Sequence, residues 1–256
     1  MESMSLKGKR GFVVGVANER SIAAGCARAF RDQGADLILT CLNEKARPYA
    51  TPIAESVNAV DLLELDVSRE EDIVAAEERI QSVWGGIDFL VHAVAFCPKE
   101  DLHASVVDCS EEGFATAMKV SCYSLIRLSR MAAPLMRDGG SILTFSYYGG
   151  ERVVDHYNIM GPVKAALESS VRYLAADLGG KGIRVNAISP GPIKTRAASG
   201  IAHFDELLDA AAAEAPGNRL ATIEEVGDLA AFLAGDGARA ITGGVHYVDY
   251  GVNTIA

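Results

Sequence analysis

The side chains best suited to moving charge in this chain lie in two neighbouring segments. One is Ser146-Tyr147-Tyr148-Gly149-Gly150-Glu151-Arg152, and the other is Tyr157-Asn158-Ile159-Met160-Gly161-Pro162-Val163-Lys164. A phenol donates a hydrogen bond, and its reference pKa of roughly 10 keeps it protonated at neutral pH. A tyrosine held in place can therefore stabilise an oxyanion as it forms. A lysine nearby adds positive potential. On a regular helix the step from Tyr157 to Lys164 turns about 700° and rises about 10 Å, which places both residues on one face. Pro162 complicates that helix. An interior proline costs about 3 kcal/mol, whereas one in the first turn removes a donor that is unused, so the helix is expected to start late or to kink between Tyr157 and Lys164. Tyrosines packed by their rings in a core, with satisfied hydroxyls, are the alternative use of such residues.

A different chemistry is legible near the amino terminus, in Gly15-Val16-Ala17-Asn18-Glu19-Arg20-Ser21-Ile22. Glycine after an apolar run permits positive φ and close backbone approach. The start of the next helix offers N–H groups and positive dipole to a pyrophosphate, with the Ser21 hydroxyl near the N-cap. The interval from Gly15 to Gly25 is too long for GxGxxG, and a plain turn glycine with a capping serine accounts for it equally well. Asp66-Val67, His92-Ala93-Val94-Ala95-Phe96-Cys97-Pro98 and the Pro-Gly stretch from Asn186 to Ile201 each follow a later apolar run. Asp66 also stands where it could simply precede a helix cap at Ser68.

Seven short aliphatic runs position these residues: 11–16, 37–40, 62–66, 89–94, 142–146, 183–189 and 245–248. Helical periodicity lies between them. Ile22, Cys26 and Phe30 recur at i, i+4, i+8, with Ala23 and Ala27 beside them, and predict one narrow apolar face. Ser68 with Glu71, and Thr222 with Glu225, fit the capping box. Strand and helix in alternation imply parallel pairing through helical crossovers, and near-continuous apolar strands imply a sheet covered on both faces. No linker, charge block or repeat divides the chain. The expected fold is α/β: a single doubly wound Rossmann-type domain over residues 1–256, with a seven-stranded parallel sheet flanked by helices. Its ligands are expected at the carboxyl ends of the strands.

Composition narrows the function further. Lys+Arg 24 against Asp+Glu 34 gives a net charge of −10 over 256 residues, which argues against nucleic acid or an anionic membrane as partner. Apolar residues at 49% with charged residues at 23% exclude disorder. No run approaches the roughly 18 apolar residues of a membrane span, and the first residues do not read as a signal peptide. A soluble, cytoplasmic protein is expected. Cys26, Cys41, Cys97, Cys109 and Cys122 never reach CxxC spacing and read as small buried hydrophobes. The five histidines, His92, His103, His156, His203 and His246, show no ligand spacing, so no metal is expected.

The run Gly-x5-Ser-Ile-Ala-x-Gly from Gly15 resembles one branch of the short-chain dehydrogenase/reductase superfamily, the bacterial enoyl-acyl carrier protein reductases. Carbonyl-reducing members use Tyr-x3-Lys; the Tyr-x6-Lys spacing with a further tyrosine at Tyr147 is similar to the enoyl reductases, and the likeness extends from about Gly8 to the C-terminus. The resemblance implies NADH-dependent reduction of trans-2-enoyl thioesters, carried by acyl carrier protein or CoA, in fatty-acid synthesis. It implies catalytic roles for Tyr157, Lys164 and Tyr147, and substrate contact by Cys97, Tyr147 and Tyr157. For the cofactor it implies Gly15, Ser21, Ile22, Asp66, Val67, Val94, Lys164, Ile193 and Thr195, with a covering loop near 192–210 and a homotetramer.

Ala95 stands at a usual glycine position, and Leu42 replaces a polar residue aimed at the adenosine. NADH is expected over NADPH, because no arginine immediately follows the second strand and Glu44 would repel a 2′-phosphate, although Lys45 and Arg47 are near. Carboxylates at Asp205 and Glu206 stand where relatives place basic residues, which leaves Lys194 and Arg196 to meet an acidic carrier. Two other readings are a catalytically silent nucleotide-binding or scaffold protein, and a carbonyl-reducing dehydrogenase.

Overall fold

The computed structural model describes residues 5–195 and 204–255. Their elements run β1 (Arg10–Val14), α1 (Ile22–Asp32), β2 (Asp36–Cys41), α2 (Arg47–Ser56), β3 (Asp61–Glu64), α3 (Glu70–Trp84), β4 (Phe89–His92), a short α4 (Lys99–His103), α5 (Glu111–Met118) and α6 (Ser124–Ala132). They continue with β5 (Gly140–Phe145), α7 (Met160–Gly179), β6 (Ile183–Pro190), α8 (Phe204–Glu214), α9 (Ile223–Ala234), β7 (Val245–Val248) and α10 (Val252–Ile255). A π-helical turn, Lys119–Tyr123, joins α5 to α6.

All seven strands are parallel, in the order β3-β2-β1-β4-β5-β6-β7. The order reverses between β1 and β4, where Val13 faces Leu39 on one side and Val91 on the other. Helical crossovers leave on opposite faces at that point and open a crevice above the strand ends.

Side-chain alternation divides the core into two layers. Phe12, Val14, Ile38, Leu90, Ile142 and Val185 face one layer, shared with α3, α6 and α7. Val13, Leu37, Leu39, Val91, Leu143 and Ile188 face the other, shared with α1, α2 and α9. Because α1 packs against α9 as well as the sheet, Ala24, Gly25 and Ala29 are buried along with Ala23, Cys26, Ala27 and Phe30. The apolar surface of α1 is accordingly broader than the predicted stripe.

Several predicted runs extend beyond their strands. Gly15, Val16, Leu65, Ala93 and Val94 lie past the last paired residues of β1, β3 and β4. They are apolar because the loops leaving the strand ends are themselves packed, with Val16 and Leu65 buried. The capping box at Thr222 and Glu225 forms. The one expected at Ser68 does not: α3 begins at Glu70 with no side-chain cap. Asp66 takes the Ser68 N–H at 2.8 Å, and Asp72 takes the Asp66 N–H at 2.9 Å, so this loop is closed by carboxylates instead.

Cys26, Cys41 and Cys122 are buried free thiols, but Cys97 and Cys109 are only partly covered, because both lie on the loops around α4 above the sheet. Among the described residues, no helix is long and apolar enough to cross a membrane.

Candidate active site

At the β1 end of the crevice, backbone shape prevails. Gly15 has φ +106°, and a Cβ there would stand 2.3 Å from the Ala93 carbonyl oxygen at the end of β4. Only glycine lets these two loops meet. The Gly15 N–H donates to Thr40 Oγ1 at 3.1 Å, which ties the turn to the end of β2. Ser21 caps α1: its hydroxyl accepts from the Ala24 N–H at 3.3 Å and donates to the Asn18 carbonyl at 2.7 Å. Ile22 opens the helix, and Val94 packs within reach of Gly15.

Asp66 and Val67 lie beyond β3. Arg127 of α6 reaches them, donating to the Val67 carbonyl at 2.6 Å and pairing with Glu70. On the same rim, Arg47 is committed to the end of β3: it pairs with Glu64 at 2.9 Å and donates to the Leu62 carbonyl at 2.9 Å. Leu42 and Glu44 are exposed beside it.

At the β5 end, side chains prevail. Tyr147 and Tyr157 meet edge to face, with ring centroids 4.9 Å apart, and Tyr148 lies against Tyr147 at 4.6 Å. A Cβ at Gly149 would come within 2.6 Å of the Tyr157 ring, so the glycine admits that ring. Tyr157 and Lys164 do not share a helix. α7 starts at Met160, which puts Pro162 in its first turn, where the missing donor is unused. Tyr157 sits in the preceding turn between His156 (φ +63°) and Asn158 (φ +45°), and the Asn158 amide is anchored on the Leu102 carbonyl at 2.9 Å. The helical-wheel expectation fails there because the chain is not yet helical. Lys164 is 6% exposed, with Nζ donating to the Phe145 carbonyl at 2.6 Å, two residues before Tyr147.

Burial perturbs this corner strongly. It raises the Tyr157 and Tyr147 phenols above their ordinary range, helped at Tyr157 by Glu168 and at Tyr147 by Tyr148 and then Tyr157. The Tyr147 hydroxyl is buried with no hydrogen-bond partner of normal geometry. Burial also brings Lys164 down to about 8, opposed by Glu168 and Cys122.

Three supports escaped the sequence reading. Glu168, 4% exposed, accepts from the Ser146 hydroxyl. Ser121, in the π-helical turn, accepts from the Phe96 N–H at 2.9 Å and donates to the Phe96 carbonyl at 3.0 Å, which pins the loop that carries Cys97. His92 bridges Thr144 and Ser124, and burial, with Lys164 second, lowers it to about 3, so the ring is neutral. Only Glu168 left a signal, since it follows Lys164 at i+4.

Val94, Cys97 and Tyr147 pack against the core layer that contains Tyr157. Ile193 is half-buried beyond β6, and the Thr195 N–H turns back onto its carbonyl at 2.7 Å. Arg196 and His203, with the middle of the expected covering loop, lie outside the described residues. No group of three metal-ligating side chains occurs among the described residues.

A dinucleotide fits these features. The Gly15 cradle and the α1 amino terminus suit a pyrophosphate, while the buried lysine and unpaired phenol suit the reacting end.

A family model described as enoyl-(acyl carrier protein) reductase matches residues 15–253. The NADH-dependent enoyl-acyl carrier protein reductase 1 of Rhizobium meliloti is 47% identical over 250 residues, covering 98% of this chain and 92% of that protein. A solved enoyl-acyl carrier protein reductase of Anaplasma phagocytophilum, in complex with NAD, superposes with TM-score 0.94 at 45% identity, covering 98% of this chain and 96% of that one. The Bacillus cereus enoyl-acyl carrier protein reductase, solved with NADP+ and indole naphthyridinone, gives TM-score 0.95 at 44% identity, with 98% of each chain covered.

Proposed function

The chain belongs to the enoyl-(acyl carrier protein) reductase family, and on that premise we propose that it reduces the C2–C3 double bond of trans-2-enoyl thioesters with NADH in fatty-acid synthesis. The observation that carries the reading is the partly buried Tyr147 ring packed on the buried Tyr157 ring, beside the Lys164–Phe145 tether, at the end of β5. Beyond the same relatives, the absence of Tyr-x3-Lys disfavours a carbonyl-reducing reading, and the intact Tyr157, Lys164 and Tyr147 disfavour a catalytically silent one.

When bound, NADH supplies the hydride that reaches the β-carbon. Tyr157 donates its hydrogen bond to the thioester oxygen as enolate charge collects there, and burial keeps the phenol protonated for that role. Lys164 holds the nicotinamide ribose hydroxyls and adds positive potential. Tyr147 and Cys97 shape the acyl pocket, with Tyr147 assisting proton delivery. Gly15, Ser21 and Ile22 hold the pyrophosphate, Asp66 and Val67 the adenine, and Val94 the nicotinamide side. Ile193 and Thr195 meet the nicotinamide amide and the pyrophosphate.

NADH is preferred over NADPH because Arg47, one of the two cations that could meet a 2′-phosphate, is already bound to Glu64 and Leu62, while Glu44 stands exposed beside Lys45, the other. The chain works as one catalytic domain over 1–256, with residues 192–210 as its cover. Lys194 and Arg196 meet the acidic carrier. A cytoplasmic homotetramer completes the reading, supported by exposed Phe114 and Tyr173 on the mutually packed α5 and α7; light scattering of the purified protein tests the assembly.

Spectrophotometric loss of NADH with a crotonyl thioester, set against simple ketones, tests the activity. Faster turnover of ketones would refute it.

A further inference from the structure

We propose that Glu168 is a positioning residue for this reaction: a buried carboxylate that holds the charge on Lys164 and fastens the end of β5, and with it Tyr147, to α7. The inference rests on the reading of Lys164 as the ribose-holding cation.

Two consecutive residues at the β5 end are tied to two residues one turn apart on α7. The Phe145 carbonyl accepts from Lys164, and the Ser146 hydroxyl donates to Glu168. Tyr147 is the next residue, so both ties set its starting point. Lys164 and Glu168 stand at i and i+4 on the same buried face. A lone ammonium there would shed its proton, because the protein interior solvates charge poorly; a carboxylate one turn away offsets that loss, and each charge lowers the burial penalty of the other.

The surroundings single out Glu168 for this task. Lys164 is approached by Cys122 from the π-helical turn, by neutral His92 from β4 and by Glu168 from its own helix. Of these, Glu168 is the carboxylate. Around Glu168 itself stand Ser146 and Glu151 from the β5 end, Arg172 and Lys164 on α7, Tyr157 before the helix and Tyr247 on β7. Burial raises the Glu168 carboxyl, with Glu151 adding to the rise, while Ser146, Arg172 and Lys164 oppose it. Lys164 and Glu168 therefore titrate as a coupled pair.

The test follows isotope-labelled lysine resonances in cofactor-free protein, with Lys164 identified as the signal that Lys164→Ala lacks. NADH dissociation constants by fluorescence, and kcat and KM, are measured across the same pH range. Glu168→Gln keeps the size of the side chain and an acceptor for the Ser146 hydroxyl while removing the charge. Its Lys164 midpoint is expected to fall by about one pH unit or more. Lysine is charged below its midpoint, so NADH binding should weaken about tenfold near about pH 8.5 and recover near about pH 6. A midpoint that does not move, or a defect of equal size at every pH, overturns the proposal.

A second measurement does not depend on that variant. By reciprocity the labelled Glu168 carboxyl should titrate higher in Lys164→Ala than in wild type, and equal midpoints would also overturn it. If Lys164→Ala bound NADH and turned over normally, the assignment of Lys164 would fail, while the two resonance titrations would still decide the coupling.

Discussion

At the β1 end of the crevice, Ser21 and Asp66 work through caps and turns whose partners are a few residues away, and Gly15 meets Thr40 and Ala93 through its backbone alone. At the β5 end, Lys164, Glu168 and the tyrosine rings meet partners brought from other elements, and the charges and phenols there are buried. The first region is shaped by backbone geometry. The second holds a lysine below its ordinary range and phenols above theirs, which the rest of the fold must sustain. The contrast implies that binding and chemistry are separable by mutation.

The largest effects should come from the β5 end. Tyr157→Phe and Lys164→Ala are each expected to lower kcat/KM for a crotonyl thioester by about 10²–10⁴-fold. The lysine change should also weaken NADH binding in a fluorescence titration, and the tyrosine change should leave it nearly intact. If Lys164→Ala left both quantities unaltered, the comparison would break at its centre.

Next comes Gly15→Ala. The added Cβ meets the Ala93 carbonyl in a backbone conformation that disfavours side chains. An expected cost of about 1–3 kcal/mol should appear as weaker NADH binding and a lower melting temperature, with kcat at saturating NADH much less changed. A collapse of kcat with unchanged affinity would show that the two ends are not separable.

Smaller changes sharpen the contrast in stability. Ser21→Ala should cost about 1 kcal/mol in denaturant unfolding, through the lost cap. Tyr147→Phe removes a buried hydroxyl that has no partner; it should leave stability unchanged or raise it by up to about 1–3 kcal/mol, with turnover reduced less than in Tyr157→Phe. A destabilised Tyr147→Phe protein would mean that the hydroxyl is satisfied after all.

The smallest effect belongs to neither end. Lys194→Glu, alone or with Arg196→Glu, should raise KM for carrier-linked substrate at low salt by less than about 1 kcal/mol equivalent per charge, and the difference should fade as salt rises. Undiminished preference for carrier over CoA thioesters in the double variant at all ionic strengths would remove these residues from docking.

The sequence alone determined the β/α alternation, the parallel sheet and the position of the Gly15 turn and Ser21 cap. These depend on side-chain period and on neighbours within one turn, which a linear chain displays directly. It also brought Tyr147, Tyr157 and Lys164 into view by type and spacing. Pro162 narrowed the Tyr157 helix to a late start or a kink, but the choice of a late start was settled by contacts such as the Asn158 amide on the Leu102 carbonyl, which is distant in the chain. The sequence did not reveal that Arg47 is committed to β3, that Ser121 pins Phe96, or that Glu168 closes the corner with Ser146. Those facts were decided by tertiary structure: a hydrogen bond between remote residues exists only once packing sets their distance, and a buried charge shifts only once water has been removed from around it.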